Sequence, residues 1–553
     1  MMLVVFRKLT LAFRLVLCAF VLQGLSLNLF AAVSFTSTPS VALQPAAPLS
    51  GLLTFDTDVA AKVSYRIRTA TPGEGWLVET SSFETSHSLP LLSLTPDTPY
   101  IVDNIQVMEI GGMTNTYSTP LPITTAALPG DFPLLDVRTT TPNQVEPGYT
   151  YIPFRGNTDY SMALDSRGNV RWYIEGDVGD MHLSSGLLLG RLNGSIVEMD
   201  FLGNIHRSWH SNTTAVPLPG SKLVNTNQFH HDVRRMPSGN FLTISREEVV
   251  VDNFPTDPLT QNDPNTYGTV TVRDQPIVEF DPNGTIVNQW NMLDMLDKTR
   301  LGYGTFRPDG TANWIHMNAV TYDPSDDSIT FSARLQDAVV KFDRATGDLI
   351  WILGDHANWS AAFQQYLLTP LVAAGEDFVW PYHQHAPMYL PTGNLMLFDN
   401  HNFGASPPDA VVDEQSIHSR ALEYEIDPNS MTITQVWEYG TDDPNYIFAR
   451  ATGDADWMPI TDNVLITYGI VARVGGTETN SSQPRIIEVD RAGNRLFEVV
   501  MGEPGLFGVS YRSEKFPSLY GSEYAVTFIP EPSTLILAGL SLVGVFASGR
   551  RKS

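Results

Sequence analysis

Residues 277–290 read IVEFDPNGTIVNQW and contain the pattern that decides the fold. A short apolar strand ends in Asp281, a turn follows, and a second strand ends in Trp290. The same pattern occurs at six aspartates: Asp165, Asp200, Asp281, Asp343, Asp427 and Asp490. A glycine follows most of these aspartates, where a hairpin turn needs a residue that tolerates positive φ, although the Asp427 copy lacks one. Six irregularly spaced hairpins with no helical period between them predict an all-β chain with a six-bladed β-propeller.

The repeats occupy only part of the 553 residues. We expect the propeller to span residues 131–528. Residues 33–130 alternate in short apolar runs broken by Pro, Gly, Ser and Thr, which predicts a small β-sandwich before it. The segment LTPDTPY ending at Tyr100 resembles the tyrosine corner of fibronectin type III sandwiches, in which the tyrosine hydroxyl bonds an upstream backbone group.

Both ends of the chain read as targeting signals. Residues 1–32 combine basic residues, an apolar run and an Ala-Ala exit, which predicts a signal peptide. Residues 529–553 contain Pro-Glu-Pro at 530–532, an apolar stretch and a basic end, and this order resembles the PEP-CTERM sorting signal of Gram-negative bacteria. The resemblance implies export to the periplasm or cell surface, transient membrane anchoring by the tail, and exosortase-type processing.

Composition excludes some chemistry. Cys18 is the only cysteine and lies in the signal peptide, so the mature chain has neither a disulfide nor a thiol nucleophile. The formal net charge is −26, and cleavage of the signal peptide and after Pro532 removes six positive side chains and no negative one. A surface this acidic disfavours binding to nucleic acid or anionic lipid.

A second register aligns residues that are six positions before a proline. His231, Asn318, His385 and Gly453 precede Pro237, Pro324, Pro391 and Pro459 in this way. Two residues upstream of them lie Phe229, His316, His383 and Ala451. Because strand side chains alternate with period 2, we expect five polar side chains to point toward one central space: His231, His316, Asn318, His383 and His385. The same argument turns His230 to the opposite face, as a structural residue.

Three interpretations of these histidines are open at this point. They are packing residues that bind ordered water in a propeller channel, ligands of a metal ion, or catalytic groups. No Asp or Glu falls in the register, so a metal would have imidazole ligands alone. A purely imidazole site has no carboxylate companion, and it ranks third among these interpretations.

The ordered motifs resemble the bacterial arylsulfate sulfotransferases over nearly all of residues 140–520. They include FHHD from Phe229, WIHMN from Trp314, SARLQ from Ser332, Gln384-His385, Phe398-Asp-Asn400, Gly453-Asp454 and Tyr511-Arg512. The resemblance implies that His385 is the nucleophile that becomes sulfonated, and that His231, His316, Asn318 and Arg334 complete the active site. It implies a ping-pong transfer from an aryl sulfate donor to a phenolic acceptor, with no nucleotide donor and no metal.

Several alternatives stay open at the level of sequence. Either His231 or His316 carries the proton, and His383, which departs from the family pattern, either assists or replaces the nucleophile. An aryl sulfatase and a non-catalytic extracellular binding propeller are the rival functions. The physiological donor and acceptor, the oligomeric state and the final location after tail cleavage are not determined by the sequence.

Overall fold

The computed structural model describes residues 33–529 except 72, 177, 178, 180, 442, 444 and 480. The predicted signal peptide, and all of the predicted tail but its first residue, lie outside the described residues. The described part is all-β, as predicted: its helical segments are one four-residue α-helix and four short 3-10 turns. None of its helices is long and apolar enough to span a bilayer.

The N-terminal region forms strands that pair around one long strand. Their bounds are β1 Ser40–Gln44, β2 Ala47–Thr69, β3 Gly75–Thr80, β4 Glu84–Leu91, β5 Pro99–Glu109, β6 Thr114–Tyr117 and β7 Leu121–Thr124. The 23-residue β2 pairs with β1 and β4 along its first half and with β3 and β5 along its second. The Tyr100 hydroxyl accepts a hydrogen bond from the Thr95 N–H at 2.9 Å, which is the upstream backbone contact expected of this tyrosine.

The remaining chain is a succession of antiparallel strands. In the first half they are β8 Leu135–Thr140, β9 Tyr149–Phe154, β10 Tyr160–Leu164, β11 Val170–Glu175, β12 His182–Ser184, β13 Leu187–Leu192, β14 Ser195–Met199, β15 Ile205–His210, β16 Lys222–Leu223, β17 Phe229–Arg235, β18 Phe241–Ser245, β19 Glu247–Pro255, the 3-10 turn η1 Pro264–Thr266, β20 Tyr267–Asp274, β21 Ile277–Phe280, β22 Ile286–Trp290 and the helix α1 Met292–Met295.

The second half continues in the same way. It contains β23 Met317–Asp323, β24 Ser328–Ala333, η2 Arg334–Gln336, β25 Ala338–Asp343, β26 Leu349–Gly354, η3 Gln364–Tyr366, β27 Thr369–Pro370, β28 His385–Tyr389, β29 Leu395–Asp399, η4 Glu414–Ser416, β30 Arg420–Asp427, β31 Thr432–Tyr439, β32 Ile447–Ala449, β33 Gly453–Trp457, β34 Val464–Tyr468, β35 Val471–Val474, β36 Thr477–Glu478, β37 Arg485–Val489, β38 Arg495–Met501, β39 Glu514–Phe516 and β40 Tyr524–Ile529.

Among the described residues, these strands form six sheets of four or five strands each. Their orders are β11-β10-β9-β39, β12 through β16 in sequence, β17-β18-β21-β22, β23 through β26 in sequence, β27-β31-β30-β29-β28 and β33-β34-β37-β38-β8. Two of the sheets join distant parts of the chain, because β8 pairs with β38 and β39 pairs with β9. The strands β19 and β20 form a separate two-stranded hairpin, and β32, β35 and β36 form a three-stranded sheet.

The six predicted Asp turns are present and explain why the pattern repeats. In each, the aspartate carboxylate accepts a hydrogen bond of 2.8–3.0 Å from the backbone N–H two residues later. The glycines of five copies have positive φ, and in the copy without glycine Met431 takes that conformation. Three outer-strand tryptophans donate to the carbonyl directly after the aspartate of the following repeat: Trp172 to Phe201, Trp209 to Pro282 and Trp437 to Arg491. The motif therefore joins neighbouring sheets as well as shaping hairpins.

The last described strand, β40, does not pair with the sheets formed by the repeats. β40 pairs with β3 along its whole length, so the chain returns to the N-terminal sheet. Arg171 also joins the two regions, since its guanidinium contacts Glu74 of the N-terminal region at 2.6 Å and Asp165 at 2.7 Å. The domain boundaries at 130 and 528 remain predictions, with β40 crossing back over the second of them.

Candidate active site

Six edge strands, one from each of the six sheets, carry or adjoin the residues described below. They are β39, β12, β17, β23, β28 and β33. Asp232 of β17 contacts His182 of β12 at 3.0 Å and the Val320 N–H of β23 at 3.2 Å. Asn318 of β23 donates from Nδ2 to the carbonyl of Gln384, next to β28, at 2.8 Å. Side chains from distant parts of the sequence therefore meet along one axis.

Histidines collect at the end where these strands begin. The ring centroids of His231 and His316 lie 5.4 Å apart. The Tyr511 ring lies between the cluster and His385, 4.9 Å from His231 and 6.0 Å from His385. Three of the predicted site residues are thus brought together around Tyr511, a residue that the proline register did not include.

His230 belongs to the same cluster, and the expectation that it faces away is wrong. Its ring centroid lies 3.9 Å from that of His231 and 5.6 Å from that of His316. The register of β17 shifts between His230 and Val233, and His231 has φ of 52°. A β-bulge of this kind breaks the period-2 alternation. The imidazoles of His230 and His231 therefore lie on the same side of β17.

His385 is buried, and its hydrogen bonds determine which nitrogen is reactive. Its Nδ1 lies 2.5 Å from Asn400 Oδ1 and 3.1 Å from the His383 carbonyl. The Asn400 amide is oriented by its Nδ2, which donates to the carbonyls of Ala449 and Thr452. Since both atoms facing Nδ1 are acceptors, Nδ1 carries the proton and Nε2 keeps its lone pair. Sequence reasoning quoted Asn400 in a motif but did not assign it this contact.

Arg334 and Asn318 lie beside the histidines with unused hydrogen-bonding capacity. Within the described residues, Arg334 Nε and Asn318 Oδ1 are buried without a hydrogen-bond partner. Arg334 is placed by η2, and its backbone N–H donates to the His316 carbonyl at 3.3 Å. Arg334 Nε is a donor and is suited to hold an oxygen atom of a ligand, whereas Asn318 Oδ1 is an acceptor and is suited to a ligand hydroxyl or N–H.

His383 is buried next to the cluster, with φ of 53°. Its backbone N–H donates to Asp337 Oδ1 at 2.9 Å, and its ring packs 5.3 Å from Phe403. Its Nε2 lies 3.3 Å from the Tyr303 carbonyl. These contacts place the His383 ring against the wall formed by Tyr303 and Phe403.

The imidazoles of the cluster are held neutral. Burial, followed by the charge of Arg334, lowers the pKa of His385, His383 and His316, and the pKa of His316 falls to about 3. Burial and neighbouring histidines lower the pKa of His231 and His230. A neutral imidazole is nucleophilic near pH 7, whereas an imidazolium is not.

Farther along the same strands the chemistry changes. His182 bonds Asp232 through Nε2 and Glu514 through Nδ1, and Arg234 and Arg512 also face Asp232. A cavity of about 400 Å³ opens beyond this network and is lined by residues that include Arg234, Asp456 and Lys515. We place the candidate site at the histidine end, because the cavity has no converging imidazoles. The proline register did not find His182, Asp232 or Glu514.

Within the part of the chain that the structure describes, no three His, Cys, Asp or Glu side chains are arranged to hold a metal ion.

Comparison with family models gives two matches. The arylsulfotransferase (ASST) model matches residues 136–512, and the PEP-CTERM protein-sorting motif matches residues 528–552. The second match confirms the predicted sorting signal at the C-terminus.

Two curated relatives are arylsulfate sulfotransferases. The chain is 32% identical to that of Escherichia coli O6:H1 over 214 residues, which is 31% of this chain and 35% of the relative. It is 26% identical to that of Lelliottia amnigena over 238 residues, 35% of this chain and 39% of the relative. The aligned part therefore spans only about a third of the length of either relative.

Solved structures with a propeller-like fold are also similar. One is the β-propeller domain of Cps50 (Swd1) from Myceliophteria thermophila, at 10% identity and a TM-score of 0.28, covering 67% of this chain and all of that domain. No functional argument follows from a likeness at this level.

Proposed function

The chain belongs to the arylsulfotransferase family, and from this premise we propose that it transfers sulfonate from an aryl sulfate to a phenol by way of His385. The observation that carries the proposal is the Asn400 contact, which leaves the lone pair of His385 Nε2 available. We also propose that the six sheets are the blades of a six-bladed propeller, and that the N-terminal sheet is a fibronectin-III-like sandwich.

The first step is displacement at sulfur. His385 Nε2 attacks the sulfur of the aryl sulfate, an N–S bond forms, and the bond between sulfur and the aryl oxygen breaks with its electron pair leaving on that oxygen. Because Nδ1 keeps its proton and donates it in a hydrogen bond to Asn400 Oδ1, the positive charge that develops on the ring faces a fixed acceptor. Covalent catalysis of this kind divides one difficult transfer into two easier ones.

Three residues are suited to hold the sulfonate oxygens. Arg334 offers a planar cationic fork whose Nε is buried without a partner in the described residues. His316 accepts from Asn313 Nδ2 at its Nδ1, at 2.7 Å, so its proton is on Nε2 and available for donation. Asn318 lies two residues after His316, and its Nδ2 donates to the carbonyl of Gln384, the residue before His385.

His231 is the proposed proton carrier. Its Nε2 is buried and makes no hydrogen bond to any described residue. In the unliganded cluster the pKa of His231 is lowered by burial and by neighbouring imidazoles. An anionic sulfate ester bound beside it adds an opposite charge, which raises the pKa of the imidazole and favours protonation. His231 then protonates the leaving phenolate and later accepts the proton of the incoming phenol.

The second half-reaction reverses the first. The acceptor phenolate oxygen attacks the sulfur of the sulfonated histidine, the N–S bond breaks, and His385 returns to its neutral form. The partners are therefore an aryl sulfate donor and a phenolic acceptor, and neither a nucleotide nor a metal takes part. The PEP-CTERM motif implies an exported protein processed by an exosortase, with transient membrane anchoring by the tail as the finer proposal.

Intact-mass spectrometry tests the function directly. The purified chain is mixed with 4-nitrophenyl sulfate, with and without phenol, alongside the His385→Ala variant. We expect a mass gain of one sulfonate that phenol removes and that H385A lacks. Sulfate release without an acceptor indicates a sulfatase. A folded chain that shows neither mass gain nor nitrophenol release with several aryl sulfates refutes the proposal and favours the binding propeller.

A further inference from the structure

Three arginines surround the histidine end of the strands and have no part in the proposed transfer. Arg246 follows β18, and its N–H donates at 2.9 Å to the carbonyl of Gln228, two residues before His230. The N–H of Arg273, on β20, donates at 2.8 Å to the carbonyl of Ala312, four residues before His316. Arg307 begins the turn that leads into this segment, since its N–H bonds the Thr311 carbonyl. We name Arg246, Arg273 and Arg307 the rim arginines.

Gln275 links the rim to the imidazoles. It lies two residues after Arg273 and donates from Nε2 to His230 Nδ1 at 2.8 Å, while its Oε1 accepts from the Met317 N–H. One side chain next to the rim thus contacts both histidine-bearing strands, β17 and the start of β23. Backbone hydrogen bonds and the Gln275 side chain therefore connect the segments that carry the rim arginines to the histidine segments.

The positive charge of the rim is poorly neutralised. In the described part of the chain, the guanidinium of Arg246 bonds the neutral Gln228 amide. Arg273 faces Glu248 at 3.3 Å and Arg307 faces Asp309 at 3.8 Å, and both carboxylates are more than half exposed. Exposed pairs of this kind contribute little, so an incoming anion can replace them.

The charges of the rim arginines change the pKa of groups inside the site. Burial and Arg273 lower the pKa of Arg246, Glu248 raises it, and Arg307 lowers it by a smaller amount. All three rim arginines, after burial and Arg334, lower the pKa of His316. The largest charge effects on the pKa of His385 come instead from Arg334, His316 and Arg512. The rim arginines therefore act on His316 more than on His385.

A cationic rim also stands out against the whole chain, whose net charge is −26. Clusters of one sign at the mouth of a site concentrate ligands of the opposite sign. One sulfonate needs only the donors around Arg334. The additional arginines are explained by a second negative charge elsewhere on the ligand.

We propose, building on the function proposed above, that the rim arginines form a second anion site and select aromatic substrates that carry a second anionic group, such as a carboxylate, away from the reacting oxygen. The partly exposed rings of Tyr303 and Phe403, with centroids 5.4 Å apart, provide the aromatic wall on the His383 side. The rim and this wall would then fix opposite sides of one aryl ligand.

Two acceptors that differ only in charge test the proposal. They are 4-hydroxyphenylacetate and 4-hydroxyphenylacetamide, whose phenol groups are separated from the varied group by a methylene. With 4-nitrophenyl sulfate as donor, we expect kcat/KM to favour the carboxylate about tenfold, the scale of a charged hydrogen bond. The ratio should fall toward one in the Arg246→Gln/Arg273→Gln variant and should fall partway in the exposed single variant Arg307→Gln. The control Arg138→Gln, paired with Asp136 on an edge strand, should keep the wild-type ratio.

Failure of the rim and failure of the transferase are distinguished by a binding measurement. Calorimetric titration of the unreacted chain with 4-hydroxyphenylacetate and its amide does not depend on chemistry at His385. Tighter binding of the carboxylate that R307Q weakens supports the rim even if no sulfonated histidine forms. Equal binding and equal kcat/KM of the two acceptors in the wild type, or a preference that R307Q and R246Q/R273Q both leave intact, overturns the proposal.

Discussion

His182 and His385, each the first residue of an edge strand, have opposite electrostatic surroundings. His182 lies between Asp232 and Glu514, and these carboxylates raise its pKa against the lowering effects of burial and Arg234. His385 has a neutral amide at Nδ1, and burial and Arg334 lower its pKa. Both side chains are buried, so burial does not explain the difference. The charge of the neighbouring residues decides which imidazole has a raised pKa and which has a lowered one.

The same contrast appears in hydrogen bonding. Each ring nitrogen of His182 has a carboxylate partner, Asp232 at Nε2 and Glu514 at Nδ1. At the histidine end, His231 Nε2, Asn318 Oδ1 and Arg334 Nε are buried without hydrogen-bond partners among the described residues. Unsatisfied buried groups are costly to a fold, and they are retained where a ligand completes them. The comparison therefore separates a stabilising region from a reactive one on the same six strands.

Loss of the nucleophile is the largest expected effect. The His385→Ala variant should lower the rate of nitrophenol release from 4-nitrophenyl sulfate by at least ~10³-fold, because removal of a covalent nucleophile eliminates the two-step route. Stopped-flow absorbance with excess enzyme measures this first step.

The matched control is His206→Ala, a half-exposed histidine paired with Asp200 in one of the Asp turns. It should retain the wild-type rate and melting temperature. Retention of rapid nitrophenol release in H385A would move the nucleophile elsewhere, with His383 as the next residue to replace.

Loss of His182 should lower the stability of the fold and should not affect the chemistry of sulfonate transfer. The His182→Gln variant breaks a buried pair with Asp232 and leaves carboxylates without their partner, so we expect the free energy of unfolding to fall by about 3 kcal/mol. Denaturant titration measures it, with His206→Gln as the exposed His–Asp control.

The pH dependence of that loss has a defined sign. The pKa of His182 is raised in the folded chain, so its contribution is fully present below the unfolded pKa and is lost as pH rises through the folded pKa. The difference between wild type and H182Q should therefore be larger at pH 6 than at pH 9. A difference that grows with pH contradicts the ion-pair assignment.

The repeats could be predicted from the sequence because their signals are local. An aspartate and a positive-φ residue a few positions apart determine each hairpin, and all six turns formed as expected. His231 and His316 do converge, but strand alternation does not explain it, because both have positive φ. His230 could not be predicted, because nothing in FHHD indicates that His231 takes positive φ and starts a bulge.

The proline register also could not predict contacts between distant segments of the chain. His182 meets Glu514 across 332 positions of sequence, and β40 returns to pair with β3. Neither partner carries a motif, since these pairings depend on contacts between different sheets. Loop-borne Asn400 and Tyr511 reach His385 for the same reason.

Removal of the amide behind the nucleophile should have an intermediate effect. The Asn400→Ala variant leaves Nδ1 of His385 with only the His383 carbonyl, at 3.1 Å, so tautomer and ring orientation are less restricted. We expect the sulfonation rate to fall about 30-fold, within the range for loss of a partner that orients a reactive histidine. The control Asn394→Ala removes an amide that contacts Glu423 at the far end of the same hairpin, and it should keep the wild-type rate. A sulfonation rate of N400A equal to that of the wild type would show that Asn400 does not orient His385.

The smallest expected effect is a flat pH profile, and it tests the comparison most directly. An ordinary histidine with a pKa near 6.5 loses about tenfold of its neutral form between pH 8 and pH 5.5. The pKa of His385 is lowered well below that value by burial and by Arg334, so the neutral nucleophile persists over this range. The rate of His385 sulfonation by 4-nitrophenyl sulfate, measured under single-turnover conditions at saturating donor, should therefore change by less than about twofold. In Arg334→Gln the acid limb should move to higher pH, because the neighbouring cation that disfavours the imidazolium is gone. A tenfold acid loss in the wild type would show that His385 resembles His182 more than the structure implies, and the two ends of the strands would then differ in position but not in charge.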